Sequence, residues 1–343
     1  MEIIEHPQTN STEPGSTDPL LSLPPELLLP IFSFIGGKNF RQDVRRLAVC
    51  KKWYAYARPV LWNSISLRMT WRLLPVVRAM GSGTLAAAQK LTKHIDLTLR
   101  RTNSRLDPQD LTHSPIEDLE ELASELKDFA ALRTLVIRPE GHDWLYSIMP
   151  IRIFSSFASL HQLTSLEMDL ADMIFDPSPT PHLCESLSQL IPNLKRLRCR
   201  LPRICLDLLG SPPGDLEELI VNISPRKYAR LYSRRCSEDG DHDFDYARLR
   251  ARMETGLLQF AASMHDPKIV RLIHHLRCRG RNRYAFDAIQ NRRLFLGTST
   301  AWDADGVLLP EDWDAGRAEA EESEESGDSL SEDEELADGE THE

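Results

Sequence analysis

Hydrophobic positions in this chain follow two periods, and each predicts a different kind of element. Between positions 20 and 35 the chain reads LLSLPPELLLPIFSFI, an apolar run broken by Pro24, Pro25, Glu26 and Pro30. A membrane span needs about 20 uninterrupted apolar residues. A secretory leader needs a basic start, whereas MEIIEHPQTNSTEP supplies acids and no Lys or Arg. The run is therefore expected to be a packed helix entered through Pro25, at a first-turn position whose N–H would lack a partner anyway. In the following FRQDVRRLAVCKKWYAYARPVLW, Val44, Leu47 and Ala48 fall at i, i+3 and i+4. Cys50, Trp53, Tyr54 and Ala57 repeat that spacing one register later. With Leu27, Leu28, Ile31, Phe32 and Ile35 this predicts three short helices ending at Pro59, kinked where Pro30 interrupts the first.

From about 65 to 300 a short phrase recurs: Leu132, Leu135 and Ile137; Leu163, Leu166 and Met168; Leu194, Leu197 and Cys199; Leu216, Leu219 and Val221. Weaker copies run from Leu91 to Leu97 and from Ile269 to His274. The last two positions of each phrase share one side of a strand, and the first turns into the core from the preceding loop. Helical stripes fill the intervals. One opens at Ser114-Pro115-Ile116-Glu117, with a cap, a first-turn proline and a capping-box Glu, and continues through Leu119, Leu122, Leu126 and Phe129. A second follows Thr180-Pro181 through Leu183, Leu187, Leu190 and Ile191, and a third uses Leu249, Met253, Leu257, Phe260 and Met264. Phrase starts 31, 31 and 22 residues apart fit an irregular, leucine-rich-repeat-like α/β solenoid in which each unit buries its apolar face against its neighbours. A plain α/β domain fits the same leucines if the spacing is fortuitous.

Charge divides the chain further. The formal net charge is −11, yet residues 311 to 343 hold 16 acids and the single base Arg317, leaving +4 on the first 310 residues. That acidic tail, like the polar residues 1–18, is expected to be disordered, because it has too little apolar surface to offset chain entropy. The expected organisation is a disordered N-terminus (1–18), a helical module (19–67), a recognition domain (68–310) and an acidic tail (311–343). Six cysteines without CxxC spacing read as reduced thiols of cytosol or nucleus, so the sequons at Asn10 and Asn222 carry little weight.

The stretch LSLPPELLLPIFSFI followed by DVRRLAVCKKWYAYARPVLWNSISL resembles an F-box over residues 20–67. The resemblance rests on Leu23-Pro24, Glu26, the helix Leu27 to Ile35, the Val49-Cys50 step, Trp53, and Pro59 with Leu61-Trp62. It implies that three helices dock on the Skp-type adaptor of a cullin-RING ubiquitin ligase, and that the following domain captures a protein substrate. Ubiquitin chemistry would then belong to other subunits, and this chain would be a non-catalytic receptor without a cofactor. The adaptor contacts expected are Leu23, Pro24, Glu26, Leu27, Leu28, Ile31, Val49, Cys50 and Trp53. Too small a module to bury all its leucines must turn some toward a partner.

Other chemistry is thinly signalled. Gly81, Gly83 and Ala86 have the GxGxxA spacing of a dinucleotide turn, which keeps a cofactor-dependent α/β enzyme as the alternative, alongside an adaptor-binding scaffold without a ubiquitination role. Asp239, Asp241, Asp243 and Asp245 imitate a calcium loop but put Phe244 and Arg250 where Gly and Glu are needed. His274, His275 and Cys278 lack a second ligand pair, so no metal is expected. Arg277, Arg279, Arg281 and Arg283 form a basic group suited to an acidic substrate or to the chain's own tail, and a body charge of +4 argues against nucleic acid. In the tail, Ser329 and Ser331 each precede an acid by three positions, and phosphate on Ser329 would extend that pattern to Ser326.

Overall fold

The structure is a computed structural model and describes residues 22–69, 82–100, 115–140, 148–170, 174–175, 183–201, 204–223, 246–275, 282–298 and 300–310. The expected disordered termini, the Asp239–Asp245 loop and the tail serines lie outside the described residues. The chain divides into two compact units, residues 1–65 and 66–343. No helix among the described residues is long and apolar enough to cross a membrane.

The first unit contains α1 (Pro25–Gln42), a 3₁₀ turn (Val44–Leu47) and α2 (Lys51–Asn63). β1 (Ser64–Met69) carries the chain into the second unit, followed by α3 (Ser82–Leu91) and β2 (His94–Arg100). Next come α4 (Pro115–Glu125), β3 (Thr134–Glu140), β4 (Ile148–Met149), α5 (Ile151–Ala158), β5 (Ser165–Asp169) and β6 (Ile174–Phe175). The remainder comprises α6 (Leu183–Leu190), β7 (Arg196–Arg200), β8 (Glu218–Asn222), α7 (Tyr246–Ser263), β9 (Ile269–His274), β10 (Arg283–Asp287), β11 (Arg292–Gly297) and β12 (Val307–Leu308).

Ten strands form one sheet in the order β1-β2-β3-β5-β7-β8-β9-β10-β11-β12, with β4 and β6 paired separately. From β2 to β9 neighbouring strands are parallel and follow chain order. The recurring phrase explains the register. Ile95, Leu135, Leu166, Leu197, Leu219 and Val270 stand side by side, and Leu97, Ile137, Met168, Cys199, Val221 and Leu272 form the next row. Both rows are buried, and a one-residue slip would turn every member to the opposite face. The leading leucines at 132, 163, 194 and 216 are buried as well. Each step begins with the same backbone bond: the N–H of Ser165 donates to Arg133 O (2.9 Å), Arg196 to Thr164 O (3.1 Å), and Glu218 to Lys195 O (3.0 Å).

The expected helical stripes are also interior, apart from Leu249, which is only partly buried: Leu119, Leu122, Leu126 and Phe129; Leu183, Leu187, Leu190 and Ile191; Met253, Leu257, Phe260 and Met264. Pro115 heads α4 as the capping pattern requires. Helices touch their successors, α4 with α5 and α5 with α6, while the 3₁₀ turn Leu206–Leu209 bridges α6 and α7. Between β7 and β8 that turn replaces an α-helix, which accounts for the shorter 22-residue interval there.

The end of the sheet departs from the repeat. Leu294 and Leu296 do alternate on a late strand, but β9, β10, β11 and β12 pair antiparallel. This hairpin buries Ala285, Leu294 and Leu296 against Ile220 and Ile273, with Ile269 and Trp302 packed alongside. Both faces of β8 are therefore covered. Asn222 is wholly buried there, which closes that sequon in the folded chain.

Candidate functional site

The first unit is built around a small aromatic core. Leu28, Phe32, Phe40 and Ala57 are buried, and Leu23, Ile35, Leu47, Trp53, Tyr56, Val60 and Leu61 pack around them. The Phe32 ring meets Trp53 edge-on at 4.5 Å and stacks with Phe40 at 5.9 Å. Such pairs add about 0.5–1.5 kcal/mol beyond the area they bury. Trp53 Nε1 donates to the Arg46 carbonyl at 2.6 Å, which fixes the 3₁₀ turn against α2.

Two expectations are corrected here. The kink in α1 lies at Gly36 (φ 78°, ψ 148°), whereas Pro30 stays within helical backbone. Only glycine adopts such a positive φ freely. The helix then resumes to Gln42 and brings Phe40 onto the core. Second, α2 runs through Pro59 to Asn63. One lost backbone bond at Pro59 is offset by Val60 and Leu61 packing on the core and by Arg41, whose Nη1 donates to the carbonyls of Leu61 (2.8 Å) and Ser64 (2.6 Å). Partial burial holds that guanidinium below its ordinary pKa. Gly37 permits the close approach, since a Cβ there would lie 2.8 Å from the Val60 carbonyl.

The 3₁₀ turn and α2 are capped by the side chains of Asp43 and Cys50. Asp43 accepts from Arg45 N at 3.1 Å and from Arg45 Nε at 2.9 Å, and these bonds hold its carboxyl below the usual range. Cys50 heads α2, its sulfur accepting from Trp53 N at 3.4 Å.

Several large apolar side chains remain outside this core. Leu27 (54 % exposed), Ile31 and Phe34 (94 %) follow one another at i, i+4 and i+7, a single stripe along α1. Val49 is 57 % exposed, and Pro24, Glu26 and Cys50 also face outward. Leu28 does not: it closes the unit's own core, as does most of Trp53. Sequence patterning could not separate Leu28 from Leu27, because ELLLPIFSFI is apolar nearly all round. Phe34 was missed by the sequence reading, although its spacing from Leu27 and Ile31 was the available signal.

The basic group is only partly visible. Arg277, Arg279 and Arg281 lie outside the described residues. Arg283, on β10, donates to the carbonyls of Thr298 (2.7 Å) and Thr300 (2.8 Å), and burial holds its pKa below the ordinary value. It serves the chain's own backbone and is not a free surface cation. Gly81 is likewise outside the described residues, while Gly83 sits in the first turn of α3, where among the described residues no atom beyond its own helix comes within 4 Å of an added Cβ. Among the described residues no three His, Cys, Asp or Glu side chains converge as metal ligands.

A compact helical unit with a closed core thus leaves an apolar stripe of α1 exposed. Residues 20–68 match the F-box-like family model, so the chain carries an F-box-like domain at its N-terminal end. Comparison with curated proteins finds no match. F-box-like domains dock a Skp-type adaptor and typically sit in non-catalytic receptors, which is the general role this domain implies.

Proposed function

We propose that this chain is a substrate receptor of a cullin-RING ubiquitin ligase. The carrying observation is the stripe Leu27, Ile31 and Phe34, left open on an F-box-like domain whose core is otherwise complete. Docking on the adaptor buries that stripe together with Val49 and the Leu23-Pro24 entry, with Glu26 and Cys50 at its border. Leu28 and Trp53 act from beneath by holding α1 and α2 in place. Cullin and RING subunits are reached through the adaptor, in cytosol or nucleus.

The second unit is the substrate-recognition domain, a leucine-rich-repeat-like solenoid. Its support is the parallel, in-register run of strands from β2 to β9, in which each step pairs with its neighbours. The acidic tail, modified at Ser326, Ser329 or Ser331, would regulate that surface by competing for its arginines. Titration of a purified Skp-type adaptor into the full chain tests the reading. A saturable one-to-one complex is expected, and absence of binding at micromolar concentrations overturns it. Adaptor-dependent capture followed by mass spectrometry then identifies the substrate.

A further inference from the structure

A second constellation lies on the sheet face opposite the leucine rows. Arg196, Arg198 and Arg200 alternate along β7 with the buried Leu197 and Cys199. Arg198 donates through Nε to Glu218 and through Nη2 to Asp303 Oδ2 at 2.6 Å. Arg200 holds Asp169 through Nε at 2.7 Å, and its guanidinium carbon lies 5.5 Å from the centre of the Trp302 ring. Arg271, nearly buried on β9, donates to the carbonyls of Trp302 (3.0 Å) and Ala304 (2.7 Å). Arg283 adds the carbonyls of Thr298 and Thr300.

Four arginines from three strands thus hold one stretch of chain by its main-chain oxygens, one carboxylate and one aromatic ring. Those are the contacts by which arginine recognises peptides: forked donation to oxygen and stacking on an aromatic face. The Trp302 side chain also packs on an apolar cluster that includes Ile220 and Ile273. The turn closes locally through Ala304 N to Ala301 O (3.2 Å) and returns to β12 through Gly306 (φ 63°).

We propose that this face of β7, β8 and β9 is a binding site for a peptide in which an aromatic residue precedes an acidic one, with Trp302-Asp303 as its resident intramolecular occupant. The inference rests on reading this unit as the substrate-recognition domain. A competing segment places its ring over Arg200 and its carboxylate on Arg198. Half-exposed Arg196, held by Glu218 at 2.7 Å, stands two positions earlier on β7 for a further acid. A tethered occupant competes at an effective concentration of order millimolar. Only a tighter segment, or one delivered at high local concentration, displaces it.

The probe is a labelled peptide, TAWDADGV, identical to residues 300–307. It is titrated by fluorescence anisotropy into the full chain and into a Trp302→Ala/Asp303→Ala variant that vacates the site. The vacated chain is expected to bind at least tenfold tighter than the native one, and adding Arg198→Gln is expected to cost at least tenfold. A folded vacated variant that binds no better than wild type, or binding indifferent to Arg198→Gln, overturns the proposal. Should the variant lose its cooperative melt, hydrogen exchange on the wild-type chain decides. Millimolar peptide should speed exchange of the Trp302–Gly306 amides, and unchanged rates refute displacement. Adaptor titration on the same proteins separates the two readings. A failed peptide arm with intact adaptor binding counts against this site alone, and absent adaptor binding counts against the receptor assignment.

Discussion

Phe34→Ala and Leu28→Ala should produce opposite pairs of effects, although the two residues share one helix. Phe34 is 94 % exposed, so truncation removes almost no internal packing and should shift stability by no more than about 0.5 kcal/mol. On docking, burial of a phenylalanine side chain contributes about 1.5–3 kcal/mol, or roughly 10- to 150-fold in Kd at about 1.4 kcal/mol per tenfold. Leu28 is wholly buried among Phe32, Phe40 and Ala57. Its truncation leaves a cavity costing about 2–5 kcal/mol, a large fraction of what a small helical unit has. The assay is calorimetric titration of the adaptor at 25 °C beside thermal unfolding followed by circular dichroism. Phe34→Ala should bind 10- to 150-fold more weakly with an unchanged melt. Leu28→Ala should lower the melt first and lose binding as a consequence. Native affinity in Phe34→Ala would remove the stripe from the interface, and an unaltered melt in Leu28→Ala would contradict the core assignment.

Gly37→Ala should destabilise by more than 1 kcal/mol in urea titration, because its Cβ would meet backbone at 2.8 Å, whereas Gly83→Ala should be neutral or stabilising by about 0.5–1 kcal/mol. A destabilised Gly83→Ala that also loses saturable nicotinamide-cofactor binding would revive the dinucleotide reading. His274 is buried beneath Tyr284, and desolvation, aided by Arg250 and Arg293, depresses its pKa from 6.5 to about 3. The unfolded chain therefore binds this proton first as pH falls, so stability is full above pH 6.5 and declines toward pH 3. At about 1.36 kcal/mol per unit the loss is about 2 kcal/mol at pH 5, and that part of the urea-measured slope should vanish in His274→Phe. A chain ending at Asp266 lacks β9 to β12 and uncovers β8, so it should aggregate; a soluble fragment with a cooperative melt would mean that the antiparallel end is dispensable.

Local chemistry was legible in the sequence where it acts at short range. Pro25 and Pro115 mark helix starts because a first-turn N–H has no partner to lose. The leucine phrase marks strand entries because two residues of period two and one from the loop must reach the same interior. What escaped was decided by distant partners. Pro59 survives inside α2 because Arg41, twenty residues before Leu61, takes up the terminal carbonyls. Leu28 and Leu27 are chemically identical, and the choice between them is made by Trp53 and Phe40. The antiparallel hairpin carries the same alternation as a repeat strand, so alternation at Leu294 and Leu296 could not report the direction of pairing.

The clearest case is Arg198, whose partner Asp303 lies 105 residues away. Nothing near either residue announces the pair, yet the strand period already sends Arg198 away from the core, between the inward Leu197 and Cys199. The inner rows are held by burial and register, and replacing one of their leucines with alanine would cost about 2–5 kcal/mol. The half-exposed Arg196 costs far less to change, typically within about 1 kcal/mol, whereas Arg198 and Arg200 on the same strand face are largely buried and paired. A sheet of this kind therefore separates two demands on one strand. Its inward residues keep the fold, and outward residues where the sheet is not covered, such as Arg196, can take the charges that a partner requires. The face on which Trp302 and Asp303 rest lies on that outward side, but there Arg198 and Arg200 are largely buried and Trp302 packs on Ile220 and Ile273, so specificity at this place is bound to the packing of the sheet's antiparallel end.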